Sequence, residues 1–404
     1  MPSLEEAQRT ILDSVRPLGA ETVPVLEAVG RVLAEDLKAP WDFPAFDNSA
    51  MDGYAVRAAE APGSARLRLS DYIPAGAPGA RPLAPGTAAR ILTGAPLPEG
   101  ADAVVPSEEA EERDGAVTVL QAAQPGAHVR HRGEDLPAGT VAVRAGAVVG
   151  GPEVSWLATS GRLAVNVFAR PRVAVLSTGD ELVPPGEPLR PGKIYDSNGL
   201  ALAAAVKQAG AEPVLLGVAC DDRAALRSLL ADGLRADALV TSAGVSAGDR
   251  DLVRHVLEEL GVRQLFWKVD IKPGHPTAFA LREGTPVFSL PGNPVAALLT
   301  FEELVRPALL RMMGHRHVFR DAVPAVLAER LARRPGRLAL VRVRLERRGA
   351  ELVARSAGRQ DTGILRSLLD ADGIALVPSG TGELAAGSLV EVHLLRQPPG
   401  GAGT

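Results

Sequence analysis

At 404 residues, with 46% hydrophobic and 23% charged residues, the chain is too long for one ordinary core and has the balance of a multidomain globular protein. A net charge of −4 and only 3% aromatic residues leave neither a global field nor a stacking platform for nucleic acid. No apolar run of about eighteen residues marks a membrane span, and the single cysteine, Cys220, rules out an internal disulfide framework.

Ser3-Leu4-Glu5-Glu6 reads as a capping box opening an amphipathic helix, with Leu4, Ala7, Ile11, Leu12 and Val15 on one face. That start is unlike a signal peptide, and with the cysteine content it fits a cytoplasmic location. The helical texture runs to residue 45 and ends in a proline-rich stretch, 39–44. Residues 46–135 carry short apolar runs (88–92, 103–105 and 117–120) punctuated by Gly and Pro, the pattern of a small β-rich unit. A helix starting near Gly151-Pro152-Glu153 returns to the first texture, so residues 1–45 plus 136–170 are expected to form a discontinuous helical N-terminal domain around an inserted β domain.

Residues 171–316 alternate near-continuous apolar strands with helices. Strands are expected at 172–177, 213–218 and 238–241, and helices at 198–209 (capped by Ser197, stopped by Gly210), 223–230 and 252–260. A hairpin over 277–282 and 285–290 and a long helix over 295–313 complete a mostly parallel, doubly wound α/β domain. In residues 317–397 the period changes. Arg342 and Arg344 alternate with Val341 and Val343, as in a half-buried antiparallel strand, and further strands at 351–355, 374–377 and 389–394 imply a C-terminal β-barrel. The Gly/Pro tail, 398–404, reads as disordered.

In an open parallel sheet, ligands bind beyond the carboxyl ends of the strands. Four loops there are unusual: Ser177-Thr178-Gly179-Asp180-Glu181, Cys220-Asp221-Asp222, residues 242–251 from Ser242 to Asp251, and Pro291-Gly292-Asn293-Pro294. Gly244 and Gly248 let backbone N–H groups approach phosphate oxygens. Carboxylates do not bind phosphate directly, so Glu181, Asp221 and Asp251 imply a divalent cation, and Mg2+ is the hard ion that suits oxygen ligands and phosphates. Lys268, Lys272 and His275 add positive charge. Each feature has a plainer reading. Asp221 or Asp222 can cap the next helix, the Gly-Ser loop can be a tight turn, and Cys220 can be a buried hydrophobe; His315 and His317 read as surface residues. Coincidence at one sheet edge favours a site for a phosphate-bearing anion.

Outside this domain, Phe46-Asp47-Asn48-Ser49-Ala50-Met51-Asp52-Gly53-Tyr54-Ala55-Val56 is too irregular for regular structure and too apolar for a linker. The stretches 93–100 and 128–135 are structured loops, and the second sets cations, Arg130 among them, beside Glu134 and Asp135.

Together, residues 46–56 and 93–100, Arg132-Gly133-Glu134-Asp135, residues 177–182 and 242–251, Ile271-Lys272-Pro273-Gly274 and residues 290–295 resemble the MoeA family of molybdopterin molybdenumtransferases, similar also to the C-terminal domain of gephyrin. The resemblance runs from the first helix to the last strand. It implies transfer of molybdenum from molybdate to adenylylated molybdopterin with release of AMP, Mg2+ assisting, by an elongated homodimer whose active site lies between the central domain of one subunit and the β-rich domain of the other. A molybdopterin adenylyltransferase would be the substrate donor. On this mapping Asp52, Glu181, Asp221 and Asp251 are catalytic, with Asp251 and Glu181 on the metal. Thr93, Arg130, Asp135, Ser242, Gly244, Ser246, Lys268, Lys272, His275, Pro291 and Pro294 bind substrate.

Three departures from the family pattern stand out: Ala243 for glycine, His275 for lysine and Ala296 for serine. Imidazole titrates near neutrality where lysine stays charged, so anion capture through His275 is expected to weaken as pH rises. Two other readings are an adenylyltransferase, since stand-alone proteins similar to the central domain do that chemistry, and a non-catalytic cofactor carrier or scaffold.

Overall fold

The structure is a computed structural model that describes residues 1–220, 222–244, 252–332 and 336–397. Two compact units emerge, one made of Met1–Val23, Gly30–Ala34 and Asn166–Thr404, the other of Pro24–Val29 and Glu35–Val165.

Helix α1 (Leu4–Ser14) opens as the sequence predicts: the Ser3 hydroxyl accepts from the Glu6 N–H, and the Glu6 carboxylate accepts from the Ser3 N–H. Its buried face (Leu4, Ala7, Ile11, Val15) joins the core of the first unit together with Val173, Phe279 and Leu309. The expected helical N-terminal domain is therefore not present as such. The helix is part of the central core, and residues 20–24, 37–38, 141–143 and 164–168 are strands rather than helix. The proline- and β-branched-rich stretch that follows α1 cannot sustain a helix.

The second unit is built on a six-stranded sheet of β1 (Gly53–Val56), β2 (Arg66–Ile73), β3 (Thr87–Ile91), β4 (Ala103–Pro106), β5 (Ala110–Arg113) and β6 (Ala116–Val119), in the order β4-β1-β3-β2-β6-β5. Helix α2 (Gly151–Thr159) has Pro near its first turn, and Gly161 beyond its end takes φ 71°.

The central sheet comprises β7 (Arg172–Thr178), β8 (Glu212–Ala219), β9 (Ala238–Ser242), β10 (Arg263–Phe266), β11 (Ala278–Arg282) and β12 (Thr285–Leu290), in the order β8-β7-β9-β12-β11-β10. Strands β8, β7, β9 and β12 are parallel, whereas β11 runs antiparallel to both of its neighbours, β12 and β10, so the sheet is mixed. Alternate residues of β7 bury against opposite layers. Val173 and Val175 face a core shared with α1, α3 (Ser197–Gln208), α6 (Pro294–Thr300) and α7 (Arg306–Met312). Ala174 and Leu176 face α4 (Arg223–Gly233) and α5 (Leu252–Glu259). Asp196, not Ser197, caps α3, accepting from the Gly199 N–H at 2.9 Å. Asp222 caps α4, accepting from Ala225. Cys220 is exposed rather than buried, because it lies just past the end of β8.

The expected long helix after β12 is interrupted by a π-helical turn, Phe301–Val305. Pro307 has no N–H to give the Glu303 carbonyl four residues back, and the Gln8 side chain of α1 donates to that carbonyl at 3.0 Å. The C-terminal strands β13 (Ala322–Leu327), β14 (Leu338–Arg348), β15 (Glu351–Ser356), β16 (Gly373–Val377) and β17 (Leu389–Leu394) pair in the order β14-β15-β13-β17-β16, and β16 closes onto β14 as a five-stranded barrel. Arg344 is exposed as alternation predicts, but Arg342 is wholly buried. The tail 398–404 lies outside the described residues. Among the described residues no helix is long and apolar enough to cross a membrane.

His393 of β17 meets Glu303 of the π-turn, Nδ1 lying 3.0 and 3.1 Å from the two carboxylate oxygens, with Glu391 near Nε2. Burial by itself lowers the His393 pKa, but the hydrogen bond and charge of Glu303, with Glu391 behind them, raise it above the usual imidazole value. A pKa raised on folding gives stability that is complete below the unfolded value of about 6.5 and is lost as pH climbs through the folded one. Thermal melts should therefore show stability declining above about pH 6.5, and His393→Gln should flatten that part of the slope. An identical slope in the variant would remove His393 as its source.

Candidate active site

The register of the parallel strands sets the site. Ser177 of β7 pairs with Val218 of β8 and Ser242 of β9, and Ser242 pairs with Leu290 of β12. The loops after all four strands thus leave the same edge. Strand β10 runs parallel to β12 through the intervening β11, so Lys268, just after β10, also emerges there.

Buried polar contacts tie these loops together. The Asn198 side-chain N–H2 donates to the Ser242 hydroxyl and to the Gly292 carbonyl, each at 2.7 Å. The Ser177 hydroxyl donates to Asp196 at 2.9 Å, and the Thr178 hydroxyl to the Ser242 carbonyl at 3.3 Å. Because a carbonyl can only accept, the Gly292 contact fixes the Asn198 amide orientation and leaves its Oδ1 buried without a donor. Asn198 and Asp196 were not singled out by sequence reasoning; the signal was Asp196-Ser197-Asn198-Gly199, a polar run of cap-forming residues where a βα loop meets its helix.

Gly179, at φ 144°, takes a backbone conformation that favours glycine, and the Glu181 carboxylate lies 2.6 Å from where a Cβ would stand. Glu181 itself is exposed. Gly244 takes φ 73° and packs against Val253. Pro291 is buried, and Pro294 opens α6 with Asn293 before it. Asp221, Ser246 and Asp251 lie outside the described residues. Among the described residues no group of three or more His, Cys, Asp and Glu is arranged to hold a metal ion.

The expected cations divide. Lys268 is half-buried at the sheet edge. The His275 Nδ1 donates to the Val269 carbonyl at 2.9 Å, and its Nε2 faces an Arg337 guanidinium nitrogen at 3.3 Å. The tautomer with its proton on Nδ1 satisfies both contacts, so both ring nitrogens already have protein partners. The pH-dependent anion contact expected of His275 therefore has no nitrogen left to make it. Lys272 is exposed and belongs to the short strand Ile271–Lys272, which pairs with β14. With Arg342, Gln360, Asp361 and Thr362 it lines a cavity of about 310 Å3.

Arg342 is 0% exposed. Its Nε donates to the Ser367 hydroxyl at 3.0 Å, and Nη2 reaches the carbonyls of Arg359 and Asp361 at 3.3 and 3.4 Å. Its Nη1 has no acceptor. Burial lowers its pKa, partly offset by the charge of Asp361. A buried guanidinium served only by neutral oxygens is costly unless an anion joins it.

In the second unit, Gly53 lies so close to the Val105 carbonyl that no side chain fits, and this packing sets Asp52 at the mouth of β1. The Thr93 N–H and hydroxyl both donate to Asp52 Oδ1 at 2.7 Å. These two bonds, the backbone one foremost, hold the Asp52 carboxyl below its usual pKa, so it stands as an anion at neutral pH. Arg130 and Asp135 are exposed. The neighbouring Arg132 is less available than its sequence suggested, since it pairs with Asp42 at 2.6 Å.

Three family models cover the chain: MoeA N-terminal region (domain I and II) over residues 2–161, probable molybdopterin binding domain over 174–311, and MoeA C-terminal region (domain IV) over 324–395. Molybdopterin molybdenumtransferase 2 of Mycobacterium tuberculosis is 40% identical over 97% of this chain and 99% of its own length. The chain belongs to the MoeA family. Molybdopterin molybdenumtransferase of Haemophilus influenzae is 34% identical over 98% of this chain and 100% of its own. A molybdopterin biosynthesis MoeA protein of Pyrococcus horikoshii superposes with a TM-score of 0.86, at 36% identity, over 98% of this chain and 99% of its own.

Two departures of this MoeA-family chain now have physical content. Ala296 is buried in α6, where a serine would bring a further hydroxyl into an apolar layer. Ala243 adopts φ 70°, a left-handed conformation that costs a residue with a Cβ about 1–2 kcal/mol. Its methyl lies 3.2 Å from where a Cβ on Gly292 would stand, so it packs on the neighbouring loop. Ala243→Gly relieves the strain but frees the unfolded chain, for a net gain of about 0.5–1 kcal/mol. The melting midpoint should rise by about 1–3 °C; a lower midpoint would show that the methyl contact outweighs the strain.

Proposed function

We infer that this chain is a molybdopterin molybdenumtransferase of molybdenum cofactor biosynthesis. Full-length relatives of that name, matched across every domain, support this reading. Its substrates are molybdate and adenylylated molybdopterin. The finer steps are our proposal: water attacks the substrate's phosphoanhydride, whose P–O bond breaks to release AMP and leave the pterin phosphate, while the two dithiolene sulfurs replace two molybdate oxygens, which leave as water with the thiol protons and two more from solvent.

The loop edge carrying Ser242, Gly244, Pro291 and Pro294 takes the phosphate-bearing substrate, with Lys268 balancing its charge. Asp52, held ionised by Thr93, acts as an anion or proton acceptor rather than a proton donor. Arg130, Asp135 and Ser246 join the substrate contacts. Glu181, Asp251 and Asp221 would offer oxygen donors only, the kind that Mg2+ prefers. When bound, the ion would neutralise charge on the phosphates. A homodimer in which a second copy supplies Asp52, fed by a molybdopterin adenylyltransferase, fits this division of residues.

The observation that carries the molybdate half is the cavity between Lys272 and Arg342. Molybdate is a tetrahedral dianion, and the buried Arg342 guanidinium with its unused N–H, together with the exposed Lys272, outnumbers the one carboxylate of the lining, Asp361, and leaves the cavity suited to an anion. Lys272 can be changed without disturbing a core. Lys272→Ala should raise the molybdate KM about tenfold or more, the effect of one charge-assisted bond, with a smaller change for adenylylated molybdopterin. An unaltered molybdate KM would place the anion elsewhere. Asp251→Ala should abolish AMP release from a folded protein, and full activity would refute its role.

A further inference from the structure

A second cationic cavity lies at the opposite edge of the central sheet. Helix α3 runs from Ser197 at the active edge to Gln208 at the other, and Arg170 precedes the amino end of β7. There Arg31, Arg170, Gln208, Arg306 and His315 line a cavity of about 200 Å3, closed on its apolar side by Phe168 and Met313. The lining contains three arginines and one histidine but no carboxylate.

Charge compensation around it is incomplete. Arg31, only 9% exposed, pairs with Glu21 and donates to the Phe168 carbonyl at 2.8 Å, yet its Nε–H has no acceptor. Arg306 lies 3.9 Å from Glu302, but that carboxylate sits closer to Arg320, at 3.0 Å, so one acid serves two arginines. Arg170 has no carboxylate within ion-pair distance among the described residues. Glu303 and Asp321 lie further out and attract Arg306 weakly. His315 is half-buried rather than a plain surface residue, and burial first, then the Arg306 charge, lowers its pKa.

A plainer account makes these arginines caps for the carboxyl ends of α3 and α7. The contacts point elsewhere. The ends of both helices are closed by backbone bonds, from Gly210 to Lys207 and Ala211 to Val206, and from Gly314 to Arg311 and His315 to Leu310. Arg31 and Arg306 donate instead to the carbonyls of Phe168, at the end of the strand over 164–168, and of Val318. Neither Arg31 nor Arg306 therefore caps a helix carbonyl.

We propose that this cavity binds a small tetrahedral oxyanion, of which inorganic phosphate is the representative, held by Arg170 and Arg306 with His315 as a further donor. The cavity accommodates one such ion, and the guanidinium forks suit its oxygens. It is separate from the Lys272–Arg342 cavity, which forms where Ile271–Lys272 joins the barrel.

The test follows the His315 ring signal by NMR in the full-length protein, assigned with His315→Gln, during titration with inorganic phosphate against chloride at constant ionic strength. Bound anion should raise the His315 titration midpoint saturably with phosphate and not with chloride. Arg170→Glu, at an exposed position, should weaken the phosphate effect about tenfold or more, while Arg170→Lys keeps most of it and both variants keep the wild-type melting midpoint. A His315 signal that ignores phosphate, responds equally to chloride, or responds equally in Arg170→Glu would overturn the proposal. Phosphate held only at the active edge would appear as the first of these outcomes.

Discussion

Ser177, Ser242 and Leu290 stand level in three adjacent parallel strands, and the site depends on that register. Shifting one strand by a residue would turn its side chains to the other face and carry its loop out of line. Burial on both faces holds the register: Val173 and Val175 are committed to one layer, Ala174 and Leu176 to the other. Once the strand ends are flush, the Asn198 amide can reach both the Ser242 hydroxyl and the Gly292 carbonyl. Three chemically unlike loops become one surface.

Charge is handled differently in the two halves of the first unit. At the junction of the π-turn and the barrel, Glu303 is compensated by His393 within the protein. Arg342, equally buried, has only a hydroxyl and weak carbonyl contacts. Asp361 offsets that charge only in part, leaving a cost that the proposed substrate anion would reduce. In the second unit Asp52 shows the complementary arrangement, an anion fixed by two donors of Thr93.

Much of this was legible in the sequence. The capping box at Ser3, the strand-helix alternation of the central domain, the hairpin and the barrel strands all follow local rules of period and punctuation, and the fold bears them out. What local rules missed were effects of packing between distant segments. The first helix reads as part of a separate helical domain because nothing local says that Leu4 and Ile11 bury against Val173 and Leu309. Arg342 reads as half-exposed because alternation does not foresee Ser367 and the loop over 359–362 covering that face. His275 reads as an anion-binding group whose capture weakens as pH rises, but its partners, the Val269 carbonyl and Arg337, are set by tertiary structure. The polar run at 196–199 was visible as a helix start, and its role in tying loops together emerged only once Ser242 and Gly292 were placed beside it.

In the proposed reaction, anhydride cleavage at the loop edge is coupled to delivery of molybdenum from a separate anion cavity. Its most direct test is a single-turnover reaction of the full-length protein with adenylylated molybdopterin, molybdate and Mg2+, measuring AMP released and molybdenum retained on the pterin in the same samples. Equal amounts of the two are expected, both falling together when molybdate is withheld. AMP release that continues unchanged without molybdate, or molybdenum insertion without AMP, would contradict it.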